Sequence, residues 1–266
     1  MYSGKNHTFV ICAYKENPHL EETVQSLKNQ TVKSRIILST STPNDHIKSV
    51  CEKYNIKMYV NPTSHLAGDD WNYGYSMAKT DLVTIAHQDD LYEPDFLKVT
   101  LHYINKHKRD DVIIAFTDYY ELKLGEKVTA NALLKIKRIM NFPLSLPCFY
   151  GSKWMRRRTL SFGCAICCPA VTYVKKNNAE HVFDMTFKNS CDYKTWVDLS
   201  KRKGSFIYIP RQMVAHRIYA ESATTLNLSE NIRQKEDLEI LCDFWPRPIA
   251  KMINKLYAKS EKSNVV

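Results

Sequence analysis

The chain has 266 residues, 44% hydrophobic and 11% aromatic, enough to enclose one substantial core. Sixteen Tyr against seven Gly exclude a disordered, low-complexity or fibrous chain. The 38 Lys and Arg outnumber the 28 Asp and Glu for a formal charge of +10, which suits an anionic partner, and no charge-free stretch is long enough to cross a bilayer.

The first residues, Met1 to His7, run straight into a strand at Phe9–Ala13 and leave no room for a signal peptide. A polar turn with Glu16 and Pro18 leads to a helix with Leu20, Val24 and Leu27 on one face. Arg35–Leu38 reads as the next strand, followed by the polar turn Ser39–Asp45. Leu82–Ala86 is a short buried strand, and Asp89 and Asp90 follow it before Pro94 opens a helix. A carboxylate pair at the carboxyl end of such a strand is where ligands of open α/β sheets bind, and it can seat a divalent cation carrying phosphates. The competing role is that these acids cap the helix.

Nine basic residues and one acid lie between Lys123 and Arg158, interleaved with large apolar residues. The piece from Arg247 to Lys262 repeats this with five cations, one acid, and Met252, Ile253, Leu256 and Tyr257. That pattern suits an anionic membrane surface, the alternative being a solvated face. Nucleic acid is not expected, because no recognition helix, zinc finger or paired-aromatic signature is present. Asn231–Trp245 reads as a helix with Ile232, Leu238, Leu241 and Trp245 apolar, and Pro246 and Pro248 separate it from a terminal helix.

In their order, these segments resemble family 2 glycosyltransferases of the GT-A fold over roughly residues 8 to 225. The resemblance implies one α/β domain over 6–228 with a mostly parallel central sheet. Residues 6–118 form its nucleotide-sugar half, 119–228 its acceptor half, and 229–266 a helical extension. Ala13, Tyr14, Glu16, Ser39, Asp69, Asn72, Gln88, Asp90 and Arg217 are then expected around the nucleotide-sugar. The Asp-rich turn that usually holds the nucleoside is absent after Leu38, and acid stands at Asp69 and Asp70 where Arg is common. His87-Gln88-Asp89 occupies the place of the Asp-any-Asp motif, so Asp89 is the expected ligand for Mn2+ or Mg2+, with His216 as a second candidate. Asp192 matches the catalytic base, its competing role being a helix N-cap, and Trp196 and Trp154 are expected on the acceptor side.

The implied activity is inverting transfer of a sugar, from a UDP-sugar in the first instance, to a glycan or lipid-linked acceptor of a cell-surface polysaccharide. A binder that has lost catalysis and a sugar nucleotidyltransferase are the alternatives, though the latter usually carries a Gly-rich phosphate loop that is missing before Glu16. Eight Cys without an export signal are expected as reduced thiols, placing the chain in the cytoplasm or on the inner face of the membrane. Cys164, Cys167 and Cys168 form a CxxCC cluster that lacks paired zinc spacing and is expected to pack near the acceptor.

Overall fold

A computed structural model of the chain describes residues 1–63, 66–219 and 232–262. Strand β1 (His7–Ala13) alternates its side chains between two cores. Phe9 and Ile11 pack beneath helices α1 (Leu20–Lys28), α2 (Asp45–Lys53) and α4 (Phe96–Lys106). Val10 joins a second core with Tyr75 of α3 (Ala67–Met77) and Trp196 of α7 (Cys191–Lys201). A strand covered on both faces reads as a continuous apolar run, and β1 does. In α1 the buried residues are Leu20, Thr23, Val24 and Leu27, the expected helical stripe, while Glu21 and Glu22 favour the positive end of the helix dipole.

The remaining strands are β2 (Arg35–Thr40), β3 (Lys57–Val60), β4 (Leu82–His87), β5 (Leu91–Tyr92), β6 (Val112–Lys123), β7 (Glu126–Val128), β8 (Val171–Val174) and β9 (Ser205–Ile218). They form one sheet in the order β3-β2-β1-β4-β8-β6-β9-β5, with β7 paired to β6. Along that order β8 and β5 run against the other six described strands, giving the mostly parallel α/β sheet that the sequence implied. The carboxyl ends of β1, β2 and β4 therefore open on one edge. β9 is long enough to pair with both β6 and the short β5, which carries His216 and Arg217 to the turn after β4.

Gly74 lets α3 lie close on the sheet, since a Cβ there would sit 2.7 Å from Val10 Cγ1. In the acceptor half, α5 (Ala132–Asn141) and α6 (Lys153–Leu160) precede the cysteine loop. Helices α8 (Ile232–Leu241) and α9 (Arg247–Lys262) follow, interrupted at Pro246 as expected. They are tied down by Trp245 Nε1, which donates to the Ser161 carbonyl at 2.7 Å, and by Tyr257 Oη, which donates to that of Cys164 at 3.0 Å. Gly163, at φ +138°, accepts the Tyr257 ring where any side chain would collide. The boundary at 228/229 and the stretch 220–225 lie outside the described residues. None of the described helices is long and apolar enough to cross a membrane.

Candidate active site

β4 ends at His87, and the turn behind it delivers His87, Asp89 and Asp90 to one spot, with one ligand atom from each within 4.8 Å of the others. α4 begins only at Phe96, with β5 between, so the acid pair does not cap it; Pro94 falls two residues before the helix. Asp90 is 0% exposed. Its Oδ1 accepts from the Arg217 backbone N–H at 2.9 Å and meets His216 Nδ1 at 3.1 Å, while Oδ2 lies 3.6 Å from His87 Nδ1 without a hydrogen-bond partner. His87 Nε2 is likewise buried and unpaired, and Trp71 stacks on the imidazole. Tyr219 Oη donates to Asp89 Oδ2 at 2.8 Å.

Burial and the neighbouring Asp90 charge raise the Asp89 carboxyl above the ordinary carboxylate range, against the pull of His87, Tyr219 and His216. Burial also works against ionised Asp90, but His216 holds it below that range. His216 is in turn held above its ordinary value by Asp90, although burial alone would lower it. Two acids crowded together with orphaned oxygen and imidazole nitrogen atoms are the donor set for a divalent cation such as Mn2+ or Mg2+. Among the described residues this is the one His/Cys/Asp/Glu group compact enough to hold a metal, and the cysteine cluster forms none. His216, expected as a ligand, instead braces Asp90 from outside that group.

On the donor side, Tyr14 (53% exposed) and Glu16 stand open beyond buried Ala13. Lys15 adopts φ 57°, and its N–H donates to Thr42 Oγ1 at 2.5 Å, joining the turns after β1 and β2. Gln88 clamps the β1 and β4 turns: its Oε1 accepts from Tyr14 N–H at 3.0 Å and its Nε2 donates to the Tyr14 carbonyl at 2.9 Å. Ser39 is buried with an unpaired hydroxyl.

Several expected ligand contacts are already spent within the fold. Asn72 is buried, donating to the Phe183 carbonyl and accepting from the Val182 and Phe183 N–H groups, so it ties α3 to residues 182–183 rather than facing a nucleotide. Asp69 accepts from Leu66 N–H at the start of α3. Arg217 donates to the Asp89 carbonyl and pairs with Glu22 at 2.6 Å. Asp90, expected at the sugar, is buried beside Asp89 with one oxygen held by His216 and the Arg217 N–H. The neighbouring position on α3, Asp70, lies about 100° round the helix from Asp69 and turns its carboxylate to the residues after β2. Asp70 accepts from Ser41 Oγ at 2.6 Å and from Asn61 Nδ2 at 2.9 Å. Asn17, which donates to Tyr219, belongs to no motif and is found only through that contact.

Asp192 lies in the first turn of α7; Ser190, not Asp192, is the N-cap residue. Its Oδ1 accepts from the Tyr193 N–H at 2.7 Å, and its Oδ2 lies 3.9 Å from Cys164 Sγ. Glu236 of α8 accepts from the N–H groups of Lys188, Asn189 and Ser190, each at 2.8 Å, and Asp237 accepts from Ser190 Oγ at 2.7 Å. Helix α8 thus fixes the start of α7. Burial pushes the Cys167 thiol up, and the charges of Asp90 and Asp192 act in the same direction. Trp196, expected beside the acceptor, is 0% exposed and stacks on Tyr173 in the core; Trp154 is 69% exposed on α6. A cavity of about 530 Å3 lies at the opposite ends of the strands against Tyr2, Asp81 and Lys176 and touches none of these residues.

Residues 8–162 match the family model described as Glycosyl transferase family 2. An uncharacterized glycosyltransferase of Rickettsia prowazekii (strain Madrid E) is 23% identical over 233 residues, 87% of this chain and 69% of that protein. One from Rickettsia typhi is 23% identical over 246 residues, 92% and 72% of the two chains. Among solved structures, S. aureus TarS 1–349 superposes with a TM-score of 0.60 at 14% identity, over 94% of this chain and 69% of that one. The mannosyltransferase PcManGT of Pyrobaculum calidifontis, solved with GDP-Man and Mn2+, gives 0.62 at 12% identity over 97% and 70%.

Proposed function

Because this chain belongs to glycosyl transferase family 2, we propose that it is an inverting, divalent-cation-dependent enzyme carrying a sugar from UDP to a hydroxyl of a glycan or lipid-linked acceptor in cell-surface polysaccharide assembly. The observation that carries this is the His87, Asp89, Asp90 group with its orphaned Asp90 Oδ2 and His87 Nε2. The donor nucleoside lies against Tyr14, Glu16 and the turn after β2, where Ser41 and Asp70 take the place of the family's usual turn acid. His87, Asp89 and Asp90 would hold Mn2+ or Mg2+, whose charge offsets that of the departing diphosphate. Asp192 accepts the proton of the acceptor hydroxyl as its oxygen bonds to the anomeric carbon. The bond from that carbon to the diphosphate breaks on the opposite face and its electron pair leaves with UDP, so the configuration inverts. Proteins of similar fold solved with UDP-GlcNAc, with GDP-Man and Mn2+, and with UDP-Glc and Mn2+ support the donor class.

UDP at 100 times its dissociation constant should add about 2.7 kcal/mol of unfolding stability. Thermal unfolding with UDP, GDP, CDP and TDP, each with Mn2+ or a chelator, is expected to show a metal-dependent gain for UDP. No gain with any nucleotide would remove the donor site; a gain for another nucleotide would replace UDP.

Helix α5 and the C-terminal helix α9 together offer an anionic membrane surface their exposed apolar and basic side chains. α9 exposes Met252 (59%) and Leu256 (65%) beside Lys251 and Lys255, and the adjoining α5 exposes Ile136 and Ile139 beside Lys135. The chain should co-sediment with vesicles containing phosphatidylglycerol and not with phosphatidylcholine alone, and Met252→Glu with Leu256→Glu should weaken that binding about tenfold or more. Equal binding to both vesicles, or to neither, would remove the membrane from this function.

A further inference from the structure

Lys137 stands one turn before the end of α5, and unlike its neighbour it has no acid to pair with. Arg138 is held by Asp118 Oδ2 at 2.7 Å and the Tyr119 carbonyl at 3.1 Å. Lys137 is half-buried, and its Nζ donates to Tyr119 Oη at 3.1 Å, 5.6 Å from the ring centre. An ammonium carries three donors, and this contact uses one. Among the described residues no carboxylate forms an ion pair with it; Tyr119 is its hydrogen-bond partner, and its charge also reaches Tyr257, Cys164, Cys167 and His216. Removing a charge from water without a counter-charge is costly, so such cations are normally paired.

The position of this cation suggests what completes it. Cys164, which faces Lys137, is 3.9 Å from Asp192. The Tyr119 ring, which Lys137 contacts, lies edge-on to His216 at 6.2 Å, and His216 braces Asp90. Lys137 therefore enters between the base and the acid turn, from the acceptor half. Resting on the transferase reading, we infer that Lys137 and Tyr119 form an anion-binding subsite for the acceptor, which holds a phosphate or carboxylate carried close to the attacked hydroxyl. A purely neutral glycan would leave the ammonium uncompensated. An anionic acceptor compensates it and is oriented with its hydroxyl toward Asp192.

The same chemistry is offered by the donor diphosphate, and the test separates the two sources. Titration calorimetry of the full chain with glycerol 1-phosphate, and with glycerol as the neutral control, is run with and without saturating UDP and Mn2+. The wild type should bind the phosphate ester alone, and UDP with Mn2+ should not displace it. Lys137→Gln should weaken this binding about tenfold or more, and Lys137→Arg should retain it, because a charge-assisted contact is lost in one and kept in the other. Lys137→Met, of similar length and without a charge to bury, gives the same comparison should the Gln variant fail to fold. Undetectable binding by the wild type, equal affinity in the Gln or Met variant, or displacement by UDP with Mn2+ would each overturn the subsite. Failure of UDP to bind while glycerol 1-phosphate binds through Lys137 would sink the transferase reading and leave the anion site standing.

Discussion

Asp192→Asn should lower turnover by about two to four orders of magnitude while leaving UDP affinity within about twofold. The amide has nearly the shape of the carboxylate, and its oxygen can still accept from the Tyr193 N–H. The start of α7 is held by Glu236 and Asp237, so the helix does not depend on Asp192 for its anchorage. What the amide lacks is the basicity to take a proton from the acceptor hydroxyl. Single-turnover transfer from a UDP-sugar with Mn2+ measures the chemical step, and calorimetry with UDP measures the donor site. A variant that keeps the wild-type rate would remove Asp192 from the mechanism; one that loses UDP binding as well would assign it to the donor site.

Asp89→Ala should abolish the Mn2+-dependent part of UDP binding, and with it the stability gain of about 2.7 kcal/mol expected at 100 times the dissociation constant. The loss should not come from misfolding. Asp89 is raised by burial and by the Asp90 charge, so its ionised form is disfavoured in the folded chain. The sign follows: for an acid whose folded value is raised, stability is fully present below the ordinary carboxylate range and is lost as pH rises through the raised value. In the absence of metal, Asp89→Ala should therefore flatten that decline and be no less stable than the wild type near neutral pH, apart from the lost Tyr219 hydrogen bond. Urea unfolding in chelator across pH 4 to 8, a range of about four units spanning ordinary and raised carboxyls, checks this. A metal-dependent UDP response that survives in Asp89→Ala would move the cation elsewhere.

Residue order alone carried the frame of this protein: the alternation of Phe9 and Ile11 with Val10 marks a strand buried on both faces, and the spacing of Leu20, Val24 and Leu27 marks the helix that covers one of them. Pro246 precedes the terminal helix and Asp89 follows a strand, both visible locally. Local periodicity reports which face is buried because it depends on neighbours a few residues apart. It cannot report which polar group meets which. Gln88 faces the Tyr14 backbone 74 residues away, and Asn72 faces Phe183 across 111, so two side chains that resembled ligands of a nucleotide-sugar are spent inside the fold. Trp196 lies in the core for the same reason: its partners Tyr173 and Phe183 come from other segments. The pairing of β9 with β5 and β6 brought His216 to Asp90, the pitch of α3 brought Asp70 to Ser41, and α5 brought Lys137 to Tyr119. Those contacts depend on strand register and helix placement, and buried polar groups must be satisfied by whatever that placement delivers, which is why only the tertiary structure decided them.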